Sequence, residues 1–294
     1  MKSIKTWSTP VKQEQKRVIP CNLCGSVSFK PHFNCEGFSY VRCTNCGLVQ
    51  QNPQPDTGAI HARYEDDSSQ AYLHYELSNE TAFLTLQQKG LQDSGFFHLE
   101  TQLFAQRDAP PRVLDVGCAT GALLAWLRDR GWDCIGIELC GPAADYARNT
   151  RKLSVITGTI EHAGLPANSV DVALASHVIE HVNDPRSFVN EIYNSLKPGG
   201  SCFITTPSID GLQARLFGSR WRSAIFDHLY LFSKRTLRAL LEEAGFTVEK
   251  TISWGGLARG TAPEPIKQAA DRLAKRFNWG DVVLMRCRKK VSVQ

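Results

Sequence analysis

The stretch Val113-Leu114-Asp115-Val116-Gly117-Cys118-Ala119-Thr120-Gly121 decides the fold. Its first half is an apolar strand and its second half is a glycine-bearing turn, the junction at which doubly wound sheets bind ligands. The spacing is not G-x-G-x-x-G and no lysine follows, so the turn differs from dinucleotide and P-loop motifs. Asp115 at the strand tip would repel a pyrophosphate and attract a cation. The turn therefore predicts a site for a nucleoside that carries positive charge.

Short apolar strands alternate with helical segments from this stretch towards the C-terminus. An alternation of this kind is typical of an α/β fold with a doubly wound, largely parallel sheet. Asp184, followed by Pro185, predicts a helix start. The predicted strands are 112–117, 133–138, 153–156, 170–175, 201–206, 246–250 and 281–288, and the predicted helices are 121–130, 142–151, 184–196, 234–244 and 265–277.

An acid, Glu138, ends the second predicted strand, where a carboxylate suits a ribose diol. Further along lie Ser169-Val170-Asp171-Val172-Ala173-Leu174, Lys197-Pro198-Gly199-Gly200 and Ala244-Gly245-Phe246. Together with the D-x-G-x-x-x-G turn and in this order, these motifs make the chain resemble the class I S-adenosylmethionine-dependent methyltransferases. The resemblance implies a Rossmann-like seven-stranded sheet and S-adenosyl-L-methionine as the cofactor.

The same resemblance implies a cofactor site. Asp115 and Gly117 would lie near the methionine end, and Glu138 would bind the ribose hydroxyls. Ala119 stands where the family usually has glycine, and Thr159 stands where it often has aspartate, so adenine recognition would rest more on the backbone. The complete predicted set is Asp115, Gly117, Cys118, Gly121, Glu138, Thr159, Ile160 and Ser176.

Histidines follow the fourth predicted strand. His177, Glu180 and His181 fall at i, i+3 and i+4, on one face of a helical turn. The letters match an inverted zinc-protease motif, but their place at a strand tip excludes that reading. The segment also resembles ubiquinone-type O-methyltransferases and small-RNA-end methyltransferases, some of which bind a divalent metal through the matching Glu and His. That likeness implies a second metal site at His177, Glu180 and His181.

Methyl transfer to a hydroxyl needs alignment of the reactants and removal of a proton. Histidine is the usual base near neutral pH. The predicted catalytic residues are His177, His181 and His228, the last in a segment that resembles the H-x-x-x-F-S stretch of related enzymes. The alternative for each histidine is a structural residue fixed by hydrogen bonds.

A basic and aromatic segment covers residues 215–222. Arginines suit a phosphate, carboxylate or nucleotide in the acceptor. The alternative is a solvated basic insert whose aromatic rings pack on the pocket. The predicted substrate-binding residues are Arg215, Arg220, Trp221, Arg222 and Tyr230.

Two C-x-x-C pairs, Cys21/Cys24 and Cys43/Cys46, form the strongest local signal. This spacing is typical of a tetrahedral zinc site, and four protein ligands leave no open position, so the zinc would be structural. A zinc ribbon before such a domain resembles methyltransferases of sugar, cell-surface polysaccharide and secondary-metabolite pathways.

Length and charge set the domain organisation. The 294 residues, 42% hydrophobic and 21% charged, exclude a mostly disordered chain. No apolar run reaches ~18 residues, which predicts that no segment spans a membrane. Without a secretory apolar core near the start, we expect a cytoplasmic protein. The predicted domains are a flexible basic tail (1–20), a zinc-ribbon-like domain (21–52), a helical cap (53–107) with breaks at Gly90 and Gly95, and a methyltransferase domain (108–294).

Three functions fit these observations. The first is methyl transfer, at oxygen, to a small-molecule or sugar-linked acceptor that carries an anionic group, in secondary-metabolite or cell-surface polysaccharide biosynthesis. The second is an RNA or protein methyltransferase that uses the ribbon for docking. Most of the net charge of +5 lies in the first 20 residues, which disfavours nucleic acid as a partner. The third is a non-catalytic binding module. The oligomeric state is not predicted.

Overall fold

A computed structural model describes residues 16–56, 58, 60, 66–106, 108–256 and 263–291. The first 15 residues of the predicted tail lie outside the described residues. Backbone pairing begins within the rest of that tail, where β1 (Lys16–Arg17) pairs antiparallel with β5 (Gln54–Pro55).

The N-terminal ribbon is a small antiparallel sheet. Its strands are β2 (Phe29–Cys35), β3 (Phe38–Cys43) and β4 (Val49–Gln51). A fourth strand, β11 (Tyr230–Leu231), comes from the C-terminal half of the chain and pairs with β4. The ribbon and the rest of the molecule therefore share one sheet.

Two helices follow the ribbon: α1 (Asp66–Ser94) and α2 (Phe96–Ala105). The predicted break at Gly95 is confirmed, because this residue has the positive φ of 85° that favours glycine. The predicted break at Gly90 is wrong. The helix continues through Gly90, whose missing side chain leaves room for Trp254 and Leu284 to pack against the helix backbone.

The central sheet has seven strands, which are β6 (Arg112–Val116), β7 (Asp133–Glu138), β8 (Ser154–Thr157), β9 (Val170–Ser176), β10 (Leu196–Pro207), β12 (Phe246–Trp254) and β13 (Val282–Lys289). Their order across the sheet is β12-β13-β10-β9-β6-β7-β8. The last strand along the chain, β13, is antiparallel to both its neighbours, and the strands from β10 to β8 pair in parallel. The predicted doubly wound α/β fold is confirmed.

Helices cover both faces of this sheet. Those that follow α2 are α3 (Ala122–Arg128), α4 (Gly141–Asn149), α5 (Pro185–Ser195), α6 (Leu212–Phe217), α7 (Lys234–Glu243) and α8 (Glu264–Phe277). Successive side chains of a strand point to opposite faces, so Val113 packs with residues of α2 and α3 while Leu114 packs with residues of α5 and α7. Asp184 caps α5 as predicted, since its carboxylate accepts the backbone N–H groups of Arg186 and Ser187.

Candidate active site

The turn after β6 depends on two glycines with left-handed backbone. Gly117 has φ 76°, and a Cβ there would lie 2.3 Å from Val178 Cγ2. Gly121 also has φ 76°, precedes α3, and would place a Cβ 2.6 Å from Leu153 Cδ1. Side chains at these positions would collide with the core, so the turn needs glycine at both.

The carboxylate of Glu138 is held at the tip of β7. Its two oxygens accept backbone N–H groups of Ala119 and Cys140, each at 2.8 Å. Burial raises the pKa of Glu138, while these backbone hydrogen bonds act in the opposite direction. The acid is thereby fixed beside the glycine turn.

A cavity of about 990 Å³ extends from this turn towards residues 222–228. Its size lies at the upper end of the range for small-molecule sites, ~300–1,000 Å³. The predicted cofactor residues that line it are Gly117, Cys118, Glu138, Thr159, Ile160 and Ser176.

The other two predicted cofactor residues, Asp115 and Gly121, are not among the lining residues. Asp115 is buried behind the turn, where burial and the charge of Glu138 raise its pKa to about 8. The side-chain-free Gly121 lies against Leu153. Neither residue therefore reaches the surface of the cavity.

Helix α1 adds two acids that are not among the predicted site residues. Glu76 and Glu80 line the cavity one turn apart. Burial and the charges of Glu138 and Glu80 raise the pKa of Glu76 to about 7. Glu80 accepts a hydrogen bond from Thr120 Oγ1 at 2.9 Å and forms an ion pair with Arg151. Glu76 and Glu80 lie on the same face of α1 as the lining residues Tyr72 and Phe83. This helical spacing is the sequence pattern from which the two acids could have been predicted.

The predicted catalytic histidines lie around Glu180. His177, whose side chain is about half exposed, has φ 58° and places Nδ1 3.1 Å from Glu180 Oε1. The other oxygen, Oε2, accepts the Thr206 hydroxyl at 2.9 Å. Burial raises the pKa of Glu180, but the hydrogen bond from His177 and the charges of the three histidines outweigh it and lower the pKa to about 2.

His181 and His228 are each fixed in one tautomer. Nδ1 of His181 donates to the carbonyl oxygen of Asp227 at 2.9 Å, and Nδ1 of His228 donates to that of Ser223 at 2.8 Å. A carbonyl only accepts, so Nδ1 carries the proton and, in the neutral form of each ring, the lone pair lies on Nε2. The two rings lie 4.7 Å apart. Burial and the nearby His181 lower the pKa of His228 to about 3, so His228 is neutral near pH 7 and a poor proton acceptor.

A group of potential metal ligands is formed by Glu180, His181 and His228, whose ligand atoms lie within 4.8 Å of one another. The predicted trio had His177 in place of His228. Residues 181 and 228 are far apart in the sequence, so their proximity could not be predicted. They come together because the 225–231 segment packs against the loop between β9 and α5.

One of the five predicted substrate-binding residues lines the cavity, and the other four do not. Arg222 lines the cavity, and its Nε donates to Asp281 Oδ2 at 2.6 Å. The other predicted substrate-binding residues are not among the lining residues: Arg215, Arg220, Trp221 and Tyr230. Trp221 is buried, with Nε1 donating to Asp281 Oδ1, and the buried Tyr230 hydroxyl donates to the Asn183 carbonyl at 2.8 Å. These two aromatic residues thus have structural partners.

The four paired cysteines of the ribbon form a cluster. The Sγ atoms of Cys21 and Cys46 are 3.4 Å apart, and those of Cys24 and Cys43 are 3.5 Å apart. A tetrahedron with Zn–S bonds of ~2.3 Å has S···S edges of roughly 3.8 Å, so the cluster fits zinc. Burial raises the pKa of the Cys43 thiol, but the backbone N–H groups of Cys46 and Asn45 and the neighbouring thiols lower it to about 6.

Comparison with known proteins places this site in a family. The sequence profile described as "Methyltransferase domain" matches residues 92–251, more than half of the chain. A "Probable S-adenosylmethionine-dependent methyltransferase" of Mycolicibacterium smegmatis is 31% identical over 154 residues, 51% of this chain and 58% of the relative. The ubiquinone biosynthesis O-methyltransferase of Vibrio parahaemolyticus is 35% identical over 101 residues, 32% of this chain and 43% of the relative.

The chain therefore belongs to the methyltransferase-domain family of the class I S-adenosylmethionine-dependent type. It spans about half the length of the curated relatives it matches. A solved structure with the same fold is that of a "putative sarcosine dimethylglycine methyltransferase" from Galdieria sulphuraria, with a TM-score of 0.50 and 16% identity over 68% of this chain and 86% of that one. Among the described residues, no helix is both long and apolar enough to cross a membrane.

Proposed function

We propose that the protein transfers a methyl group from S-adenosylmethionine to an oxygen atom of a small-molecule or sugar-linked acceptor that carries an anionic group. One observation carries the proposal: a single cavity joins the Glu138 side of the sheet to His181 and Arg222. The O-methyltransferase among the relatives supports the choice of oxygen. Secondary-metabolite or cell-surface polysaccharide biosynthesis, and a cytoplasmic location, stay predictions.

The cofactor end has donors and acceptors that fit a nucleoside. Bound S-adenosylmethionine would supply an electrophilic methyl group on a sulfonium. The Glu138 carboxylate would accept the ribose hydroxyls, and Thr159 and Ile160 would flank the adenine. Glu76 and Asp115 would offset the positive charge of the sulfonium, since both are carboxyl groups at or behind the cavity wall.

His181 is the histidine best suited to take the proton of the acceptor hydroxyl. It lines the cavity, and its Nδ1–H is held by the Asp227 carbonyl, which leaves the Nε2 lone pair available. The acceptor oxygen would form its bond to the methyl carbon as the carbon–sulfur bond breaks, and the hydroxyl proton would pass to Nε2. His228 suits this role less, because its neutral form is strongly favoured by burial.

Arg222 would bind the anionic end of the acceptor. Asp281, which is fully buried, fixes the guanidinium through Nε and leaves the terminal nitrogens as donors. Lys267 also lines the cavity, where its Nζ pairs with Asp271 Oδ2 at 2.6 Å. The Arg222 guanidinium, in the part of the cavity away from Glu138, favours a carboxylate or phosphate in the acceptor.

The cysteine cluster would hold a structural zinc ion. A second divalent ion at Glu180, His181 and His228 is the alternative to base catalysis, because it would occupy the same Nε2 lone pairs. Elemental analysis of the purified chain separates the two: one zinc per chain, lost in Cys43→Ser and kept in His228→Ala, supports the base. A second metal equivalent that disappears in His228→Ala supports the metal site.

The predicted alternative, an RNA or protein methyltransferase that docks through the ribbon, receives less support. One ribbon edge, β4, is already paired with β11 of the same chain. A log–log plot of RNA affinity against salt concentration tests it, since phosphate contacts give a steep negative slope.

The test of the proposed function is a methyl-transfer assay with isotopically labelled S-adenosylmethionine and a panel of phenolic, sugar and carboxylate-bearing acceptors. We expect labelled O-methyl product from at least one anionic acceptor, and loss of most turnover in His181→Ala. Product on nitrogen or carbon only, or full turnover in His181→Ala, would contradict the proposal.

A further inference from the structure

The ribbon contacts a short segment of the C-terminal half, residues 225–231, through the backbone carbonyls of Ile225, Phe226, His228 and Leu229. This segment carries His228 and lines the end of the cavity that holds Arg222. Carbonyl groups in an irregular segment need donors, and donors from another element fix the backbone in one conformation. The groups that donate to these carbonyls therefore position this side of the cavity.

Two buried ribbon side chains supply them. The Tyr40 hydroxyl lies 2.7 Å from the carbonyl oxygen of His228 and 2.9 Å from that of Ile225, and can donate its proton to either. The Gln51 side-chain amide donates to the carbonyls of Phe226 at 2.7 Å and His228 at 2.9 Å. Both ribbon residues are essentially inaccessible to solvent.

The backbone of the ribbon extends this contact. The Gln51 N–H donates to the Leu229 carbonyl at 2.8 Å, and β4 then pairs with β11. On the opposite side, the N–H groups of Leu229 and Tyr230 donate to the backbone carbonyl of Glu180. The segment is thus held between the ribbon and the loop that carries Glu180 and His181.

Tyr40 and Gln51 lie next to the cysteine cluster. They are direct partners across the β3–β4 ladder. Between them the chain forms the second knuckle, in which Cys43 N–H donates to the Leu48 carbonyl. A metal ion bound by Cys43 and Cys46 would fix this turn and, with it, the register that places the Tyr40 and Gln51 side chains together.

We propose that the ribbon positions the acceptor side of the cavity, with Tyr40 and Gln51 as positioning residues, and that metal binding at the four cysteines orders residues 225–231. The proposal rests on the proposed function only in calling this the acceptor side. In this proposal the ribbon holds part of the active site in place.

The experiment is hydrogen–deuterium exchange of the full chain, with and without removal of the metal by a chelator, and of the variants Tyr40→Phe and Gln51→Glu. Tyr40→Phe removes one hydroxyl, and Gln51→Glu places oxygen where the amide donates. We expect exchange of residues 225–231 to rise roughly 3- to 10-fold in Tyr40→Phe, the range for one buried hydrogen bond, and further without metal. Ser39→Ala, on the same strand with its hydroxyl bonded to Asn34, is the control and should change nothing.

Two further readouts separate positioning from general stability. The affinity for S-adenosylhomocysteine, measured by calorimetry, should stay within about 2-fold in Tyr40→Phe, because a change confined to one segment is felt locally. The ring resonances of His228 should shift in that variant while those of His98 on α2 do not.

Unchanged exchange of 225–231 in both the variants and the metal-free chain would overturn the proposal. So would a rise that is equal in β6 and β7 and is accompanied by loss of S-adenosylhomocysteine binding, because the ribbon would then stabilise the whole fold. Failure of the wild-type chain to bind S-adenosylhomocysteine would instead contradict the proposed function, and the exchange data would still decide the coupling.

Discussion

Three carboxyl groups near the cofactor end of the cavity have raised pKa values. Burial places the pKa of Asp115 at about 8 and that of Glu76 at about 7, and it also raises that of Glu138. Each group is neutral below its pKa and negative above it. A positively charged ligand favours the ionised forms, so its binding should expel protons.

We therefore expect the affinity for S-adenosylmethionine, relative to S-adenosylhomocysteine, to rise with pH. Groups that both ligands share affect the two dissociation constants equally. The ratio of these constants therefore reports the effect of the sulfonium charge. Between pH 6 and pH 9 the preference should grow by roughly 10-fold, about the effect of one pKa unit. Calorimetric titrations across this range measure it. A ratio that does not change with pH would show that neither Asp115 nor Glu76 responds to the sulfonium.

Glu138 is the residue on which nucleoside binding should depend most. Glu138→Gln keeps the shape of the side chain and removes the charge that would accept the ribose hydroxyls. We expect the affinity for S-adenosylhomocysteine to fall roughly 10- to 100-fold, as for a hydrogen bond to a charged group. The matched control is Glu242→Gln, at the exposed ion pair with Arg238, which should bind as the wild type does. Equal affinities in both variants would contradict the predicted role.

The sequence predicted some site residues better than others for physical reasons. Gly117 follows β6 and Glu138 ends β7, and the ends of parallel strands meet at one edge of the sheet, so the local sequence pattern was sufficient. Trp221 and Tyr230 were predicted to bind the acceptor, but neither lines the cavity, and each hydrogen-bonds to a partner distant in sequence. The sequence around a residue does not indicate a hydrogen-bond partner that lies far away along the chain.

At the scale of elements, the α1–α2 junction shows what glycine does in two settings. Gly95 has left-handed backbone, and a Cβ there would lie 3.0 Å from Arg286 Nη1. Gly90 lies within a continuous helix, and its added Cβ would lie 3.3 Å from Trp254 Cη2. The sequence shows two glycines in similar surroundings, and only the backbone conformation distinguishes them.

This contrast predicts different costs of adding a methyl group. Gly95→Ala should lower the free energy of unfolding by about 1–2 kcal/mol, the cost of left-handed backbone for an ordinary residue. Gly90→Ala should change it by less, because alanine's helix propensity offsets the tight contact by ~1 kcal/mol. Urea unfolding of both variants measures the difference. A larger loss in Gly90→Ala would show that packing against Trp254 dominates.

At the scale of the whole molecule, Arg186 joins the ribbon to the central fold. From the start of α5, its guanidinium donates to the carbonyls of Asn22 and Leu23 in the first knuckle and pairs with Glu243. The sequence predicted the ribbon and the α/β fold as separate units. It could not predict how the two units contact each other, because Arg186 and its partners Asn22 and Leu23 lie far apart in the sequence.

Arg186→Ala should therefore destabilise the ribbon more than an ordinary surface arginine does. We expect a loss of about 1–3 kcal/mol in the free energy of unfolding, since charged hydrogen bonds to backbone carbonyls are lost. Arg238→Ala, which removes an exposed ion pair with Glu242, should cost less than about 1 kcal/mol. Chemical denaturation of both variants tests this, and equal losses would mean that Arg186 does not bind the two units together.

The arrangement of the cavity as a methyl-transfer site is tested most directly by a crystal structure of the full chain with S-adenosylhomocysteine. We predict the ribose hydroxyls on the Glu138 carboxylate, the adenine beside Thr159 and Ile160, and the sulfur directed towards His181 and Arg222. A nucleoside bound away from Glu138, or a sulfur directed away from the His181 end of the cavity, would contradict the account.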